Sequence, residues 1–276
     1  TAENGVVKLI TNSGTIKAKE VKLDAGSKGA SEISGNLNSN SETGKGGYIE
    51  VTAKEIDINT ATISADGKTG GGEILLGGDW QGSGSLLQAT FLSIDNASKI
   101  TADALQTGAG GKIVAWTNIK DVNSNTIVNG ILTAKGMSGA GGQIETSGSK
   151  LNVDSIVVNT QASDGSAGNW LLDPYNVTIG SSGDGTYIAN SDDDNISASS
   201  LNSSLTSTNI EITTGSSGSQ AGNITISSNL TIPTSRQLTL SAAGGILGSS
   251  NIANSGTIIF NNSGNGTYSG IVSGAG

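Results

Sequence analysis

Four Gly-Gly pairs, at 46–47, 71–72, 110–111 and 141–142, each stand directly before a short apolar segment. Those segments read Tyr-Ile-Glu-Val, Glu-Ile-Leu-Leu, Lys-Ile-Val-Ala and Gln-Ile-Glu-Thr. The pairs are spaced by 25, 39 and 31 residues, and about 27 residues further on Gly168, followed by Asn-Trp-Leu-Leu, makes a degenerate fifth copy. A related strand precedes three of the pairs: Ile63-Ser-Ala-Asp-Gly, Ile100-Thr-Ala-Asp-Ala and Leu132-Thr-Ala-Lys-Gly. Each unit therefore reads strand, small-residue turn, Gly-Gly corner, strand. One such unit cannot bury an apolar face by itself, so the repeat requires stacking of neighbours.

Alternation supplies the faces. Val21, Leu23 and Ala25 fall on one side of an extended chain, as do Ile49, Val51 and Ala53, and Ala61, Ile63 and Ala65. The same period of two recurs at Leu151-Val153, Ile210-Ile212, Ile224-Ile226, Leu230-Ile232 and Leu238-Leu240. It places apolar side chains inward and Thr, Lys, Glu or Asn outward. No stretch sustains helical spacing with caps, so the chain is expected to be all-β. Stacking of coils at about 4.8 Å pairs their backbones and buries Ile, Val, Leu and Ala. The expected architecture is a right-handed parallel β-helix of roughly 11–12 coils at about 22–25 residues each. Glycine at the corners is expected to provide positive φ. A β-sandwich is the structural alternative, but it would not need the recurring pairs.

Gly168–Ile179 divides the chain. It carries Trp170, Tyr175 and Pro174, scarce residues in a chain that is only 3% aromatic and has two prolines. Pro174 has no N–H for a sheet and biases Asp173 away from helix. Two segments follow from this: 1–167, with the Gly-Gly repeats, and 168–276, richer in Ser, Thr and Asn. An insertion near 77–92, Gly-Gly-Asp-Trp-Gln-Gly-Ser-Gly-Ser-Leu-Leu-Gln-Ala-Thr-Phe-Leu, occupies the longest interval. The last forty residues are the stretch where disorder competes most with structure.

Composition removes several function classes. The net charge is −9, with 13 Lys against 15 acids through Lys150 and Arg236 alone against eight acids beyond it. No basic patch exists to neutralise phosphates or to hold an anionic membrane surface, so no nucleic acid and no direct membrane insertion are expected. With neither His nor Cys, Ser-His-Asp and Cys-His catalysis, His-based zinc sites and disulfides are all ruled out. The N-terminus, Thr-Ala-Glu-Asn-Gly, lacks a basic region followed by an apolar one, and the chain is read as an internal fragment.

The ordered set of Gly77-Gly-Asp-Trp-Gln-Gly, Ala102-Asp-Ala-Leu, Gly110-Gly-Lys-Ile-Val-Ala-Trp, Ala140-Gly-Gly-Gln-Ile-Glu-Thr-Ser-Gly-Ser-Lys-Leu and the Trp-Leu-Leu-Asp-Pro stretch resembles the filamentous-haemagglutinin-like exoproteins of Gram-negative two-partner secretion (the TpsA-type adhesins). Leu201-Asn-Ser-Ser-Leu-Thr-Ser-Thr-Asn-Ile-Glu-Ile-Thr-Thr resembles the continuation after that stretch. The resemblance covers roughly residues 40–230. It implies a secreted β-helix at the bacterial outer surface, passed unfolded through an outer-membrane two-partner-secretion transporter. Adhesion, aggregation or biofilm formation, presentation to a host-cell or matrix glycan or protein receptor, and contact-dependent toxin delivery are the functions it implies. The Asn-Pro-Asn motifs of the family's secretion domain are missing, which places this segment downstream, in the shaft.

Candidate sites are few. Asp192, Asp193 and Asp194, with Asp184 nearby, form the one acidic cluster and are candidate Ca²⁺ ligands, together with Asn190 and Asn195. The cluster matches neither the EF-hand nor the Ca²⁺-binding nonapeptide, and a solvated acidic loop is the plainer expectation. It also lacks the two opposed carboxyls of a glycosidase, so no enzymatic activity and no cofactor are expected. Trp80, Phe91, Trp170 and Tyr175 are candidate glycan-stacking residues. The plainer expectation is that Trp80 and Phe91 cover a bulging flank of the coils. Asn-x-Ser/Thr sequons at Asn96, Asn176, Asn195, Asn202, Asn223, Asn229, Asn261 and Asn265 are either modification sites or Asn stacks at corners.

Overall fold

The computed structural model describes residues 8–181, 193–215 and 221–276. The chain is mostly β, and every pairing among the described strands is parallel, in sheets of 13, six, four and three strands. Parallel sheets buried on their inner face suit the Ile, Val and Leu that the alternation directs inward.

Successive passages of the chain visit three faces in turn. On the first face lie the leading halves of Glu20–Ile33 and Tyr48–Ile58, then Glu73–Leu76, Lys112–Trp116, Gln143–Ser147, Asn169–Asp173, Asn209–Thr214, Gln237–Ala242 and Thr257–Asn262, nine strands in continuous register. The trailing halves of the first two bend onto a second face with Phe91–Ile94, Asn125–Val128 and Lys150–Asn152. Thr15–Lys17, Asn36–Asn38, Thr62–Ser64, Lys99–Thr101, Ile131–Thr133 and Val157–Asn159 make the third. Each set of three is one tier. Among the described residues the first face has nine strands, and the other two faces begin one tier earlier, with Leu9–Asn12 and Thr15–Lys17, against the eleven or twelve coils expected. The inserted loop, and a helix described below, use residues that do not add a tier.

The core is columnar. Val21, Ile49, Ile74, Ile113, Ile144, Trp170, Ile210 and Leu238 are register partners in a single inward row, all buried. Each aliphatic side chain removed from water there contributes about 1.5–3 kcal/mol. Trp170 needs more room and a hydrogen-bond acceptor. Thr146, in the adjacent inward row, supplies the acceptor: its Oγ1 accepts the indole N–H at 2.9 Å.

The Gly-Gly corners work by close approach, not by φ as the sequence suggested. None of Gly46, Gly47, Gly71, Gly72, Gly110, Gly111, Gly141 and Gly142 has positive φ. A Cβ on Gly72 would lie 2.2 Å from the Gly47 carbonyl oxygen, one on Gly111 2.1 Å from that of Gly72, and one on Gly142 2.0 Å from that of Gly111. The second glycine of each pair also donates its N–H within its own tier: Gly72 to the Ala65 carbonyl, Gly111 to Ala102 and Gly142 to Ala134, at 2.7–2.8 Å. The Ala of Ser-Ala-Asp, Thr-Ala-Asp and Thr-Ala-Lys and the Gly-Gly pair are thus two sides of one corner.

The Asp of that motif bonds to the next tier. Asn40 Oδ1 accepts the Asp66 N–H, Asp66 Oδ1 the Asp103 N–H, and Asp103 Oδ1 the Lys135 N–H, each at 2.7 Å. Hydroxyls of Thr101 and Thr133 donate to the other oxygens of Asp66 and Asp103. Burial pushes the Asp66 carboxyl above its ordinary range.

After Asp173 the pattern changes on two faces only. The first face runs unbroken through Asn169–Asp173 into Asn209–Thr214. On the second, Asn176–Gly180 pairs with both Asp193–Ser197 and the later strand Ile224–Ile226. On the third, helix α1 (Ala198–Leu205) lies between Val157–Asn159 and Leu230–Ile232, separating the six-stranded sheet from Leu230–Ile232, Ile252–Asn254 and Val272–Ser273. This helix corrects the expectation that no stretch carries helical spacing with caps, in a chain that is otherwise mostly β. Ser197 caps it by accepting the Ser200 N–H, and Ala198, Leu201 and Leu205 face the core at helical spacing. The last forty residues are also structured, with Thr257–Asn262 paired along its whole length to Gln237–Ala242.

Candidate functional site beneath the inserted loop

Outward positions of the first face are ordinarily polar. In one row, however, Leu75, Val114, Glu145 and Leu171 are register partners, and all four are buried. Trp116, also outward, is 1% exposed. What covers Leu75, Val114, Trp116 and Glu145 is the insertion, which leaves the first face after Leu76 and rejoins the second at Phe91. Leu75, Val114 and Trp116 form a second hydrophobic cluster, outside the main core, with Tyr48, Trp80, Leu86 and Ile119 packed against it.

The loop's composition follows from the ring it covers. A Cβ on Gly78 would stand 2.4 Å from Trp116 Cδ1, and one on Gly82 2.5 Å from Trp116 Cζ2. Only glycine lets the backbone lie flat on the indole. Between them a 3₁₀ turn, Trp80–Gly82, is capped by Asp79, whose Oδ1 accepts the Trp80 N–H at 2.7 Å. Gln88 closes the loop: its Oε1 accepts the Trp116 indole N–H at 3.3 Å and its amide donates to the Gly82 carbonyl at 3.1 Å. Lys112 reaches Asp79 at 3.3 Å and also pairs with Glu73.

Glu145 joins loop to sheet. Its Oε2 accepts the Gln81 N–H at 2.9 Å and its Oε1 accepts the Ser147 hydroxyl at 2.9 Å, while the residue is 0% exposed. Burial raises its pKa to about 7, with the charges of Asp173 and Asp79 adding to the rise and the two hydrogen bonds opposing it. Asp173, one strand along, is raised to about 6 by burial, partly offset by a hydrogen bond with Thr213. Two carboxyls thus hold protons well above the usual range. Glu145 has no surface open to a substrate in this arrangement, and its contacts are those of a fastening between loop and sheet.

The candidate glycan-stacking residues separate on this geometry. Trp170 is fully buried in the main core and Tyr175 is 6% exposed, so neither offers a ring face. Phe91 is half-buried and belongs to the strand Phe91–Ile94, not to the loop. Trp80 is half-buried against the loop's own cluster. The four are not brought together into one groove. Of the acidic cluster, Asp184 and Asp192 lie outside the described residues, whereas Asp193 and Asp194 open a strand paired to Asn176 and Val177 instead of a loop. Among the described residues no group of three or more carboxylates could hold a metal ion.

Several sequon asparagines are structural. Asn176 Oδ1 accepts the Asn223 N–H, Asn223 Oδ1 the Gly245 N–H, Asn202 Oδ1 the Thr231 N–H, and Asn229 Oδ1 the Asn251 N–H, all at 2.8 Å. These repeat, after the Trp-Leu-Leu-Asp-Pro stretch, the tier-to-tier bonding that Asp66 and Asp103 perform before it. Sequence reasoning missed Glu145 and Asp173 as a pair. The available signal was a Glu in a row of Leu and Val, legible only once the register is known. No protein-family model and no curated protein matches this chain.

Proposed function

We propose that this chain is a structural shaft segment of a secreted, surface-exposed adhesin or exoprotein of the filamentous-haemagglutinin-like, two-partner-secretion type, wound as a right-handed parallel β-helix. The observation that carries the reading is the unbroken nine-strand register of the first face, with a buried aliphatic or aromatic residue on each of its first eight strands. Parallel strands joined by crossovers are right-handed in about 98% of cases, which supports the hand. A column of this kind spaces whatever it carries from its anchor, because each tier adds about 4.8 Å. Passage through an outer-membrane transporter, with folding outside, suits a chain without Cys whose coils each need only the preceding one as template. No cofactor is required by this function. Its partners are that transporter and a host-cell or matrix receptor engaged elsewhere in the parent protein.

The test is binding of the purified segment to a glycan array and to epithelial cells, beside Trp80→Ala. A passive shaft gives no saturable binding. Saturable binding, lost in a folded Trp80→Ala protein, would instead assign recognition to the inserted loop.

A further inference from the structure

We propose that Glu145 is a proton-controlled latch: in its neutral form it holds the loop 77–90 against the outer sheet face, and its ionisation frees the loop and uncovers Trp116. The geometry is that of a fastening whose buried member is an acid facing acids. The loop is otherwise held by apolar contact with Leu75, Val114 and Trp116, by the neutral bonds of Gln88 and by the Lys112–Asp79 ion pair at 3.3 Å.

The neutral acid keeps both of its bonds. A serine hydroxyl can accept as well as donate, so protonated Glu145 can donate to Ser147 Oγ and still accept the Gln81 N–H. The ionised form keeps them too, but as a charge buried without a cation. The groups facing it are Asp79 from the loop and Asp173 from the strand Asn169–Asp173, both acids. Lys112, on the strand Lys112–Trp116, is already paired with Glu73 and Asp79. Glu211 lies in the same outward row, one strand beyond Leu171. A lone buried carboxylate among acids favours any state that returns it to water.

The direction follows from linkage. The carboxyl is raised from its ordinary 4.5 to about 7 when the loop is closed. Its contribution to closure is therefore fully present below about pH 4.5, declines as pH rises, and is gone above about pH 7. Within that window, opening becomes about tenfold more favourable per pH unit.

Hydrogen exchange of the whole chain, read as protection factors so that the chemical pH dependence cancels, tests this between pH 5 and 8. Protection across residues 81–90 should fall about fortyfold from pH 5 to pH 7 and level off by about pH 8. Amides of the strand Asn209–Thr214 should not follow it. Glu145→Gln, which can make both bonds without a charge, should keep the loop protected throughout. Ser147→Ala removes a donor to the carboxylate and should move the end of the decline to higher pH; Asp173→Asn removes a like charge and should move it lower. A wild-type loop whose protection is flat with pH, or a Glu145→Gln protein with the wild-type decline, would overturn the proposal.

Discussion

At the scale of single residues, what matters most is how little space separates one tier from the next. Gly111 has the Gly72 oxygen 2.1 Å and the Ala102 methyl 2.9 Å from where its Cβ would be, whereas Gly14 has nothing within 4 Å. Both are glycines in the same kind of fold, yet only one is indispensable. Gly111→Ala should destabilise by about 3 kcal/mol, since the obstruction is backbone and cannot rotate away, and Gly14→Ala by less than about 0.5 kcal/mol. Denaturant midpoints of the two variants measure the contrast. Thr146 provides a second case. Thr146→Val keeps the shape but leaves the buried Trp170 indole N–H without its acceptor. A loss of about 1–3 kcal/mol in equilibrium unfolding is expected. The Gly-Gly pairs were plain in the sequence, but their reason was not. Positive φ is a property of one residue, whereas close approach belongs to two tiers brought together by folding. Glu145 was hidden for the same cause, because nothing local distinguishes it from Glu50 or Glu211 in its row.

At the scale of elements, α1 shows a strand position filled by a different structure. A strand and a helix can each present a narrow apolar edge to a column, and the chain uses Ala198, Leu201 and Leu205 for it. Leu201→Ala should cost about 2–5 kcal/mol, because the residue is completely buried between sheet neighbours that cannot collapse into the space. Thermal or urea unfolding reports this. The element was legible in part: Leu201 and Leu205 are four apart, and Ser197 is a good cap. The run is short and rich in Ser, which competes with helix by bonding to its own backbone, so alternation in the flanking segments dominated the reading. The inserted loop was legible as an insertion from the 39-residue interval between Gly-Gly pairs. That it lies flat on Trp116 required the register, which places Trp116 outward beside it.

At the scale of the whole molecule, the two halves of the chain achieve one geometry with different residues. Before Asp173, corners are glycine pairs and Asp carboxylates share the linking of tiers with Asn40; after it, Asn amides make the links. The charge asymmetry in the sequence has a different origin, the loss of Lys: 13 Lys face 15 acids through Lys150, whereas Arg236 alone faces eight acids beyond it. Period-two alternation predicted the sheets well in both halves, and the change at Gly168–Ile179 was visible as a change of composition. The continuity of the first face across it was not, since it depends on Trp170 taking an aliphatic residue's place in the row.

The stacked column itself is best tested by distances between spin labels, which the absence of native Cys makes straightforward. Lys22 and Glu211 lie in one outward row, linked through Glu50, Leu75, Val114, Glu145 and Leu171. Thr239 is the next member. Cysteine pairs at 22 and 211, and at 22 and 239, should give narrow distributions centred about 29 Å and about 34 Å apart, one strand spacing between them. Broad distributions, or two distances that do not increase with tier number, would contradict a parallel stack.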